Sequence, residues 1–91
     1  MRVEQSNLAT KKYVAIFSDG TRTHFGQKGA PDYTLTGDKE RREAYRSRHK
    51  KDLTTKNPRK AGFLSWYLLW GESTSLQQNL RDYKTMFGDK L

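Results

Sequence analysis

The chain has 91 residues, a formal net charge of +8 and a hydrophobic content of only 33%, so it has room for one small domain with a thin core. It contains no cysteine, which excludes disulfides, thiolate metal ligands and cysteine nucleophiles. Its most apolar stretch, residues 61–70, is much shorter than the roughly 20 residues of a membrane-spanning helix. We therefore expect no transmembrane segment.

The N-terminal third of the sequence predicts a β-hairpin over about residues 12–26. Residues 13–17 are β-branched or aromatic apart from one alanine, and Asp19-Gly20 follows them before a second alternating run. An Asp-Gly pair between two such runs favours a tight hairpin turn. We expect residues 1–11 to form an N-terminal arm outside a single domain of residues 12–91, and residues 27–37 to form a loop.

The remainder predicts three helices, over about residues 38–51, 58–70 and 74–87, and hence an α+β fold. Asp38 suits the N-cap of the first helix, and Asn57-Pro58 suits the start of the second. The third helix has a capping residue in Ser75. Its apolar residues fall on one face, at the spacing of an amphipathic helix: Leu76, Leu80, Tyr83 and Phe87.

Nearly all of the excess charge lies in one block, residues 39–60, which has a net charge of +7. A helix with this charge can follow a phosphate backbone or meet acidic protein surfaces. The alternative is a solvated helix with intrahelical ion pairs such as Glu43 with Arg46. The candidate residues for contact with a partner or an anion are Arg41, Arg42, Arg46, Arg48, Lys50 and Lys51.

A cluster of aromatic residues follows the basic block: Phe63, Trp66, Tyr67 and Trp70. Tryptophan and tyrosine are enriched where protein interfaces concentrate their binding energy, so this cluster is a candidate for hydrophobic docking. A basic segment beside tryptophans also suits an anionic membrane surface. The alternative is that these side chains form the core, because few other residues can do so.

The residues that could carry enzyme chemistry do not form a recognisable pattern. His24 and His49, with Asp32 and Asp38, lack the local spacing of a metal site. No serine lies in a nucleophile elbow, and no glycine-rich loop is followed by the lysine of a phosphate-binding loop. We therefore expect no enzyme activity, no metal and no cofactor.

Several short segments resemble a group of small basic proteins encoded by large nucleocytoplasmic DNA viruses of algae and amoebae. They are Lys12-Tyr13-Val14, Thr23-His24-Phe25-Gly26, Asp32-Tyr33-Thr34, Asp38, Arg41, Tyr45, Arg48-His49, Ala61-Gly62-Phe63 and Leu68-Leu69-Trp70. The resemblance covers roughly residues 12–70. The group has no established catalytic residues, so the resemblance transfers none, and it implies a viral product that can be a virion component.

Two functional hypotheses follow. The first is a non-enzymatic minor capsid protein that docks between larger capsid subunits of the same virion, in a capsid shell assembled in the host cytoplasm. The second is a small non-specific nucleic-acid-binding protein used in viral DNA handling or packaging. In the first hypothesis the basic helix meets capsid proteins, nucleic acid or an anionic membrane surface.

Overall fold

Residues 2–27 form a three-stranded antiparallel sheet in the computed structural model, which describes residues 1–91. The strands are β1 (Arg2–Gln5), β2 (Lys11–Ile16) and β3 (Arg22–Gln27), in that order across the sheet. The helices that follow are α1 (Tyr33–Thr36), α2 (Lys39–His49), α3 (Ala61–Leu64) and α4 (Leu76–Phe87). The predicted α+β fold is therefore confirmed.

The predicted hairpin is formed by β2 and β3, which pair in antiparallel register around a tight turn. In this turn Gly20 has a φ of +86°, which residues with a side chain rarely adopt. The Asp19 carboxylate accepts hydrogen bonds from the Thr21 hydroxyl and from the Arg59 guanidinium, both at 2.7 Å. These bonds hold the pKa of Asp19 well below its usual range, and the second one ties the turn to the segment before α3.

The N-terminal residues differ from the prediction, because part of the expected arm, residues 1–11, belongs to the sheet. Arg2–Gln5 pairs antiparallel with β2 and brings Val3 opposite Ala15. Val3 packs against the core, while the charged residues on either side of it are exposed. This alternation gives the strand one apolar side chain on the core side, and a third strand supports a hairpin that would be marginal alone.

The predicted loop, residues 27–37, contains the short helix α1. It forms because Asp32, which is buried, accepts a hydrogen bond from the Thr34 amide at 2.8 Å and so caps the first turn. The other carboxylate oxygen of Asp32 accepts a hydrogen bond from the Lys12 ammonium. This ion pair fastens the loop to β2.

The basic helix α2 starts as the sequence predicts and ends at His49. Asp38 accepts hydrogen bonds from the amides of Glu40 and Arg41, at 3.0 and 3.2 Å, which satisfies donors that are free at a helix start. The chain then tightens into a 3₁₀ helix, Lys50–Thr55. This segment packs beside α3.

The helix predicted over residues 58–70 starts later, because the backbone of Lys60 is extended, with φ −78° and ψ 147°. The Pro58 carbonyl accepts a hydrogen bond from the buried Tyr83 hydroxyl, and the Arg59 carbonyl accepts one from the Thr23 hydroxyl at 2.8 Å. These bonds hold the segment before α3 against α4 and β3. Regular winding therefore begins only with α3.

Beyond α3 the helix widens into a π-helical turn, Ser65–Leu69. The Trp70 amide donates to the Ser65 carbonyl, five residues back, at 3.1 Å. The chain leaves this turn at Gly71, where a Cβ atom would lie 2.2 Å from the Tyr67 carbonyl oxygen. Glycine therefore ends the apolar segment, because no side chain fits there.

The core lies between the sheet and the helices α3 and α4. Helix α4 begins after Ser75, whose hydroxyl accepts a hydrogen bond from the Gln78 amide at 3.2 Å, and its apolar face packs on the core as predicted. The buried Asn79 donates to the Leu68 and Ser73 carbonyls, which fixes the segment between the π-helical turn and α4. The largest fully buried side chains are Tyr83, Phe25, Leu64, Leu68 and Leu69.

Candidate functional site

A cleft of about 630 Å³ opens between the sheet and α2. Its lining comes from three parts of the chain, and we call it the basic cleft. The sheet side contributes Lys11, Lys12, Gly26, Gln27, Ala30, Pro31 and Asp32. The helix side contributes Arg41, Ala44, Tyr45, Arg48, His49 and Asp52, and the floor consists of Ala61, Gly62, Ser65, Leu69 and Trp70.

One face of α2 supplies the helix side of the basic cleft. Arg41, Ala44, Tyr45 and Arg48 are spaced by three or four residues, so they lie along one side of the helix. Arg41 and Arg48 are exposed, and the half-buried Tyr45 lies between them along the helix. The helix side of the cleft therefore presents Arg41, then the ring of Tyr45, and then Arg48.

Arg42 and Arg46 lie on a different face of α2 and are engaged within the chain. Arg46 donates to the Trp70 carbonyl at 3.0 Å, and Arg42 donates to the Gly71 carbonyl at 3.3 Å. Both guanidinium groups also pair with the Glu72 carboxylate. These two predicted contact residues therefore hold α2 against the segment that follows the π-helical turn.

Each of these two arginines also lies over an aromatic ring. The Arg42 guanidinium carbon is 4.8 Å from the centre of the Tyr33 ring, and that of Arg46 is 5.5 Å from the centre of the Trp66 ring. Such cation–π contacts add to the hydrogen bonds. The side chains of Arg42 and Arg46 are only 13% and 21% exposed, so little of either side chain is available to a partner.

Tyr45 is stacked between two other rings that line the basic cleft. Its ring centre is 4.3 Å from that of Trp70, with an interplanar angle of 5°, and 4.1 Å from that of His49, with an angle of 19°. Burial raises the pKa of Tyr45 to about 12, and the nearby Asp52 carboxylate acts in the same direction. The cleft therefore contains a rigid column of three rings.

The charges in the basic cleft are only partly neutralised. Lys12 is paired with Asp32, and the His49 ring nitrogen Nδ1 lies 3.1 Å from the Asp52 carboxylate. Lys11 and Arg48 take part in no ion pair. One free cation thus lies on each side of the cleft.

Arg41 is only weakly paired and remains available to a ligand. Its Nε lies 3.6 Å from the Asp38 carboxylate, and both side chains are about half exposed, at 58% and 43%. Exposed pairs of this kind are weak and give way readily to other anions. Arg41 therefore adds a third cation to the mouth of the cleft.

Two glycines allow the parts of the cleft to approach one another. A Cβ atom on Gly62 would lie 2.9 Å from the Cβ of Asp52, and one on Gly26 would lie 2.9 Å from the Leu69 Cδ1. Gly62 interrupts the apolar segment because the 3₁₀ helix passes directly over it. Gly26 has a φ of +80° and lets β3 lie against the floor.

The predicted docking residues separate into three environments. Phe63 is buried in the core, and Trp70 belongs to the basic cleft. Trp66 and Tyr67, both half-buried, line a second cleft of about 600 Å³. We call this the apolar groove; the other residues that line it are Arg46, Leu53, Gly71, Glu72, Asn79, Asp82 and Met86.

Lys50 and Lys51, the last two predicted contact residues, are exposed in the 3₁₀ helix beyond α2. They do not line the basic cleft, but they follow directly after Arg48 and His49 in the chain. They extend the positive surface from the end of the cleft.

Sequence reasoning did not assign Lys11, Tyr45 or His49 to a site. The spacing of Arg41, Ala44, Tyr45 and Arg48 was the available signal, because it marks a helix face on which arginine and tyrosine lie together. Lys11 carried no such signal, since only the packed fold brings β2 opposite α2.

Neither histidine belongs to a set of metal ligands. His24 shares a hydrogen bond with the Ser6 hydroxyl at 2.7 Å, and His49 faces Asp52. No group of three or more His, Cys, Asp or Glu side chains is arranged to hold a metal ion.

The helices are too short, or too polar, for any of them to cross a membrane.

A protein family matches the first part of the chain. Residues 1–49 match DUF5754, a family of unknown function, and these residues are more than half of the 91 in the chain. The chain belongs to the DUF5754 family. The match includes the sheet side of the basic cleft and the α2 face opposite it, whereas the floor from α3 lies beyond it. No curated protein and no solved structure matches the chain.

Proposed function

We propose that this DUF5754 protein is a non-enzymatic nucleic-acid-binding protein that holds a phosphate backbone in the basic cleft. The observation that carries the proposal is the pair of free cations, Lys11 and Arg48, on opposite sides of a concave surface. Arg41 lies on the same helix face as Arg48. Phosphate contacts by lysine and arginine supply most of the affinity in sequence-independent binding.

The distribution of ion pairs supports a large anionic partner. Twelve of the 18 Lys and Arg side chains take part in no ion pair. Several of these free cations lie close together in the chain, from the end of α2 to the start of α3: Arg48, Lys50, Lys51, Lys56 and Lys60. A surface of this charge favours association with polyanions.

The proposal is tested by fluorescence anisotropy with a labelled DNA oligonucleotide over a range of salt concentrations. We expect measurable binding at low salt and a linear fall of log affinity with log salt concentration. The double variant Lys11→Glu, Arg48→Glu should bind more weakly and show a shallower slope. Arg81→Glu, Lys84→Glu is the matched control, because it reverses two exposed cations on α4, outside the cleft.

The outcomes separate clearly. Loss of affinity in the cleft variant alone supports the proposal, and equal loss in both variants assigns binding to total charge and contradicts a role for the cleft. Vesicles of phosphatidylserine serve as a second anionic probe. If the wild type binds them more tightly than DNA, the ligand is a membrane surface and the nucleic-acid proposal fails.

The second candidate function is that of a minor capsid protein that docks between larger capsid subunits in the virion. The apolar groove favours it, because Met86 is 51% exposed and lies beside the half-buried Trp66, Tyr67 and Leu53. Partly exposed aromatic and methionine side chains are common at protein interfaces. The resemblance to proteins of large DNA viruses agrees with this role.

Incorporation into purified particles tests the capsid proposal. We expect Met86→Glu to lower incorporation, whereas Leu35→Glu should not, since Leu35 is an equally apolar and even more exposed residue (70%) away from the groove. Quantitative mass spectrometry of emptied shells and released DNA then compares the two functions. Retention in shells at a fixed ratio supports the capsid role, and release with the DNA supports the nucleic-acid role.

A further inference from the structure

The basic cleft combines cations with aromatic rings, which is the combination that proteins use for single-stranded nucleic acids. In such sites the phosphates contact lysine and arginine while bases stack on aromatic side chains. The column of Trp70, Tyr45 and His49 lines the same cleft as the free cations. Tyr45 and Trp70 also join α2 to the apolar segment, and where the rings line the cleft they offer a surface on which a base can stack.

The shape of the cleft points to the same ligand. Its volume of about 630 Å³ is in the range of pockets that enclose small molecules, and a strand with unpaired bases can enter it one or two residues at a time. A duplex is instead read by a protruding element, usually a helix that enters the major groove. In α2 the face with Arg41, Tyr45 and Arg48 does not protrude but forms one wall of a cleft opposite the sheet.

We propose that the basic cleft binds single-stranded nucleic acid in preference to duplex, with a base against Trp70 and the flanking phosphates on Lys11 and Arg48. This inference rests on the proposed nucleic-acid function and specifies its ligand. The stack gives Trp70 a fixed position, because Tyr45 lies parallel to its ring. A ring held in this way loses little conformational freedom when a base binds to it.

The two tryptophans of the chain provide a direct test. Trp66 lines the apolar groove and Trp70 lines the basic cleft, so each reports on a different surface. Trp66→Phe leaves Trp70 as the only indole, and Trp70→Phe leaves Trp66. Each variant is titrated with oligothymidylate and with a hairpin duplex that has the same number of phosphates, after thermal unfolding has confirmed that it is folded.

We expect oligothymidylate to quench Trp70 in the Trp66→Phe protein and to leave Trp66 nearly unchanged in the Trp70→Phe protein. Wild-type protein should bind the single strand more tightly than the duplex. Replacement of Trp70 by leucine should weaken single-strand binding by roughly 5- to 150-fold, the range for loss of one stacked base. Duplex binding should change much less.

Two results overturn the inference and differ in what they leave standing. If single strand and duplex bind equally, or if Trp70 is not quenched, the cleft does not select single strands by stacking, and the phosphate-binding function survives. If neither nucleic acid binds at low salt, the proposed function fails together with the inference.

Discussion

The ring of Tyr45 lies parallel to that of Trp70, with ring centres 4.3 Å apart. This contact joins the basic helix α2 to the end of the apolar segment, two parts of the chain that differ strongly in composition. The Arg46 guanidinium reinforces the joint through the Trp70 carbonyl. Tyr45, Trp70 and Arg46 therefore hold α2 against the apolar segment. Arg41 and Arg48, on the same helix, remain exposed beside them.

The first prediction concerns the two classes of arginine on α2. Arg46→Ala should lower the free energy of unfolding by about 2 kcal/mol, because it removes charge-assisted hydrogen bonds to the Trp70 carbonyl and to Glu72. Arg48→Ala is the matched control and should change it by less than about 0.5 kcal/mol. Urea denaturation measures the free energy of unfolding of both variants. Similar losses of stability in the two would contradict the division of the α2 arginines into bonded and free residues.

The second prediction concerns the close approach at Gly62. Gly62→Ala should carry a steric cost of about 1–3 kcal/mol, since the new Cβ would lie 2.9 Å from the Cβ of Asp52. The gain in helix propensity, about 1 kcal/mol, offsets part of this cost, so we expect a net loss of stability of up to about 2 kcal/mol. The measurement is the thermal unfolding midpoint.

Gly88→Ala is the control for Gly62→Ala. Gly88 has a φ of −52° and no neighbour within 4 Å of an added Cβ, so alanine there should be neutral or stabilise by up to about 1 kcal/mol. A stabilising effect of Gly62→Ala would contradict the packing of the 3₁₀ helix over α3.

The third prediction concerns alkaline pH. The pKa of Tyr45 is about 12 in the folded protein against an ordinary value of 10.0, so the unfolded chain loses this proton first as the pH rises. The free energy of unfolding should therefore be unaffected by Tyr45 below about pH 10 and fall between about pH 10 and 12. Tyr83 acts in the same direction, because burial raises its pKa as well.

An absorbance titration of tyrosinate checks this directly. It should contain a late component that disappears in Tyr45→Phe, and the variant should lose less stability at high pH than the wild type. Ionisation of every tyrosine in one step near pH 10 would contradict the buried stack.

The fourth prediction tests whether β1 is part of the folded domain. Val3→Asp should cost about 1–3 kcal/mol, because Val3 packs against the core beside Ala15 and a carboxylate there is poorly solvated. Gln5→Asp, at an exposed position of the same strand, should change stability by less than about 0.5 kcal/mol. Equal and negligible effects would restore the view of residues 1–11 as a free arm.

The elements that the sequence predicted correctly depend on short-range chemistry. The Asp19-Gly20 turn, the Asp38 cap and the spacing of the apolar residues of α4 act within a few residues, so the sequence alone reveals them. The errors have long-range causes. The segment before α3 is held by the hydroxyl groups of Thr23 and Tyr83, which are far away in the chain.

The candidate site likewise contains some residues that the sequence alone reveals and others that depend on long-range packing. The sequence predicted Arg41 and Arg48 as contact residues from their charge, and the structure places both along the basic cleft. The sequence could not distinguish them from Arg42 and Arg46, whose partners are carbonyl groups beyond the π-helical turn. Lys11 was missed because its place in the cleft depends entirely on the position of β2 relative to α2.

The most direct test of the basic cleft is amide chemical-shift mapping of the wild-type protein with oligothymidylate. We expect the largest shifts on the sheet side at Lys11 and Gln27, on α2 at Tyr45 and Arg48, and at the Trp70 indole. Amides in the middle of α4 should remain unchanged, since α4 contributes nothing to the cleft. Shifts centred on Met86 and the apolar groove, or spread evenly over all exposed lysines, would contradict binding in the basic cleft.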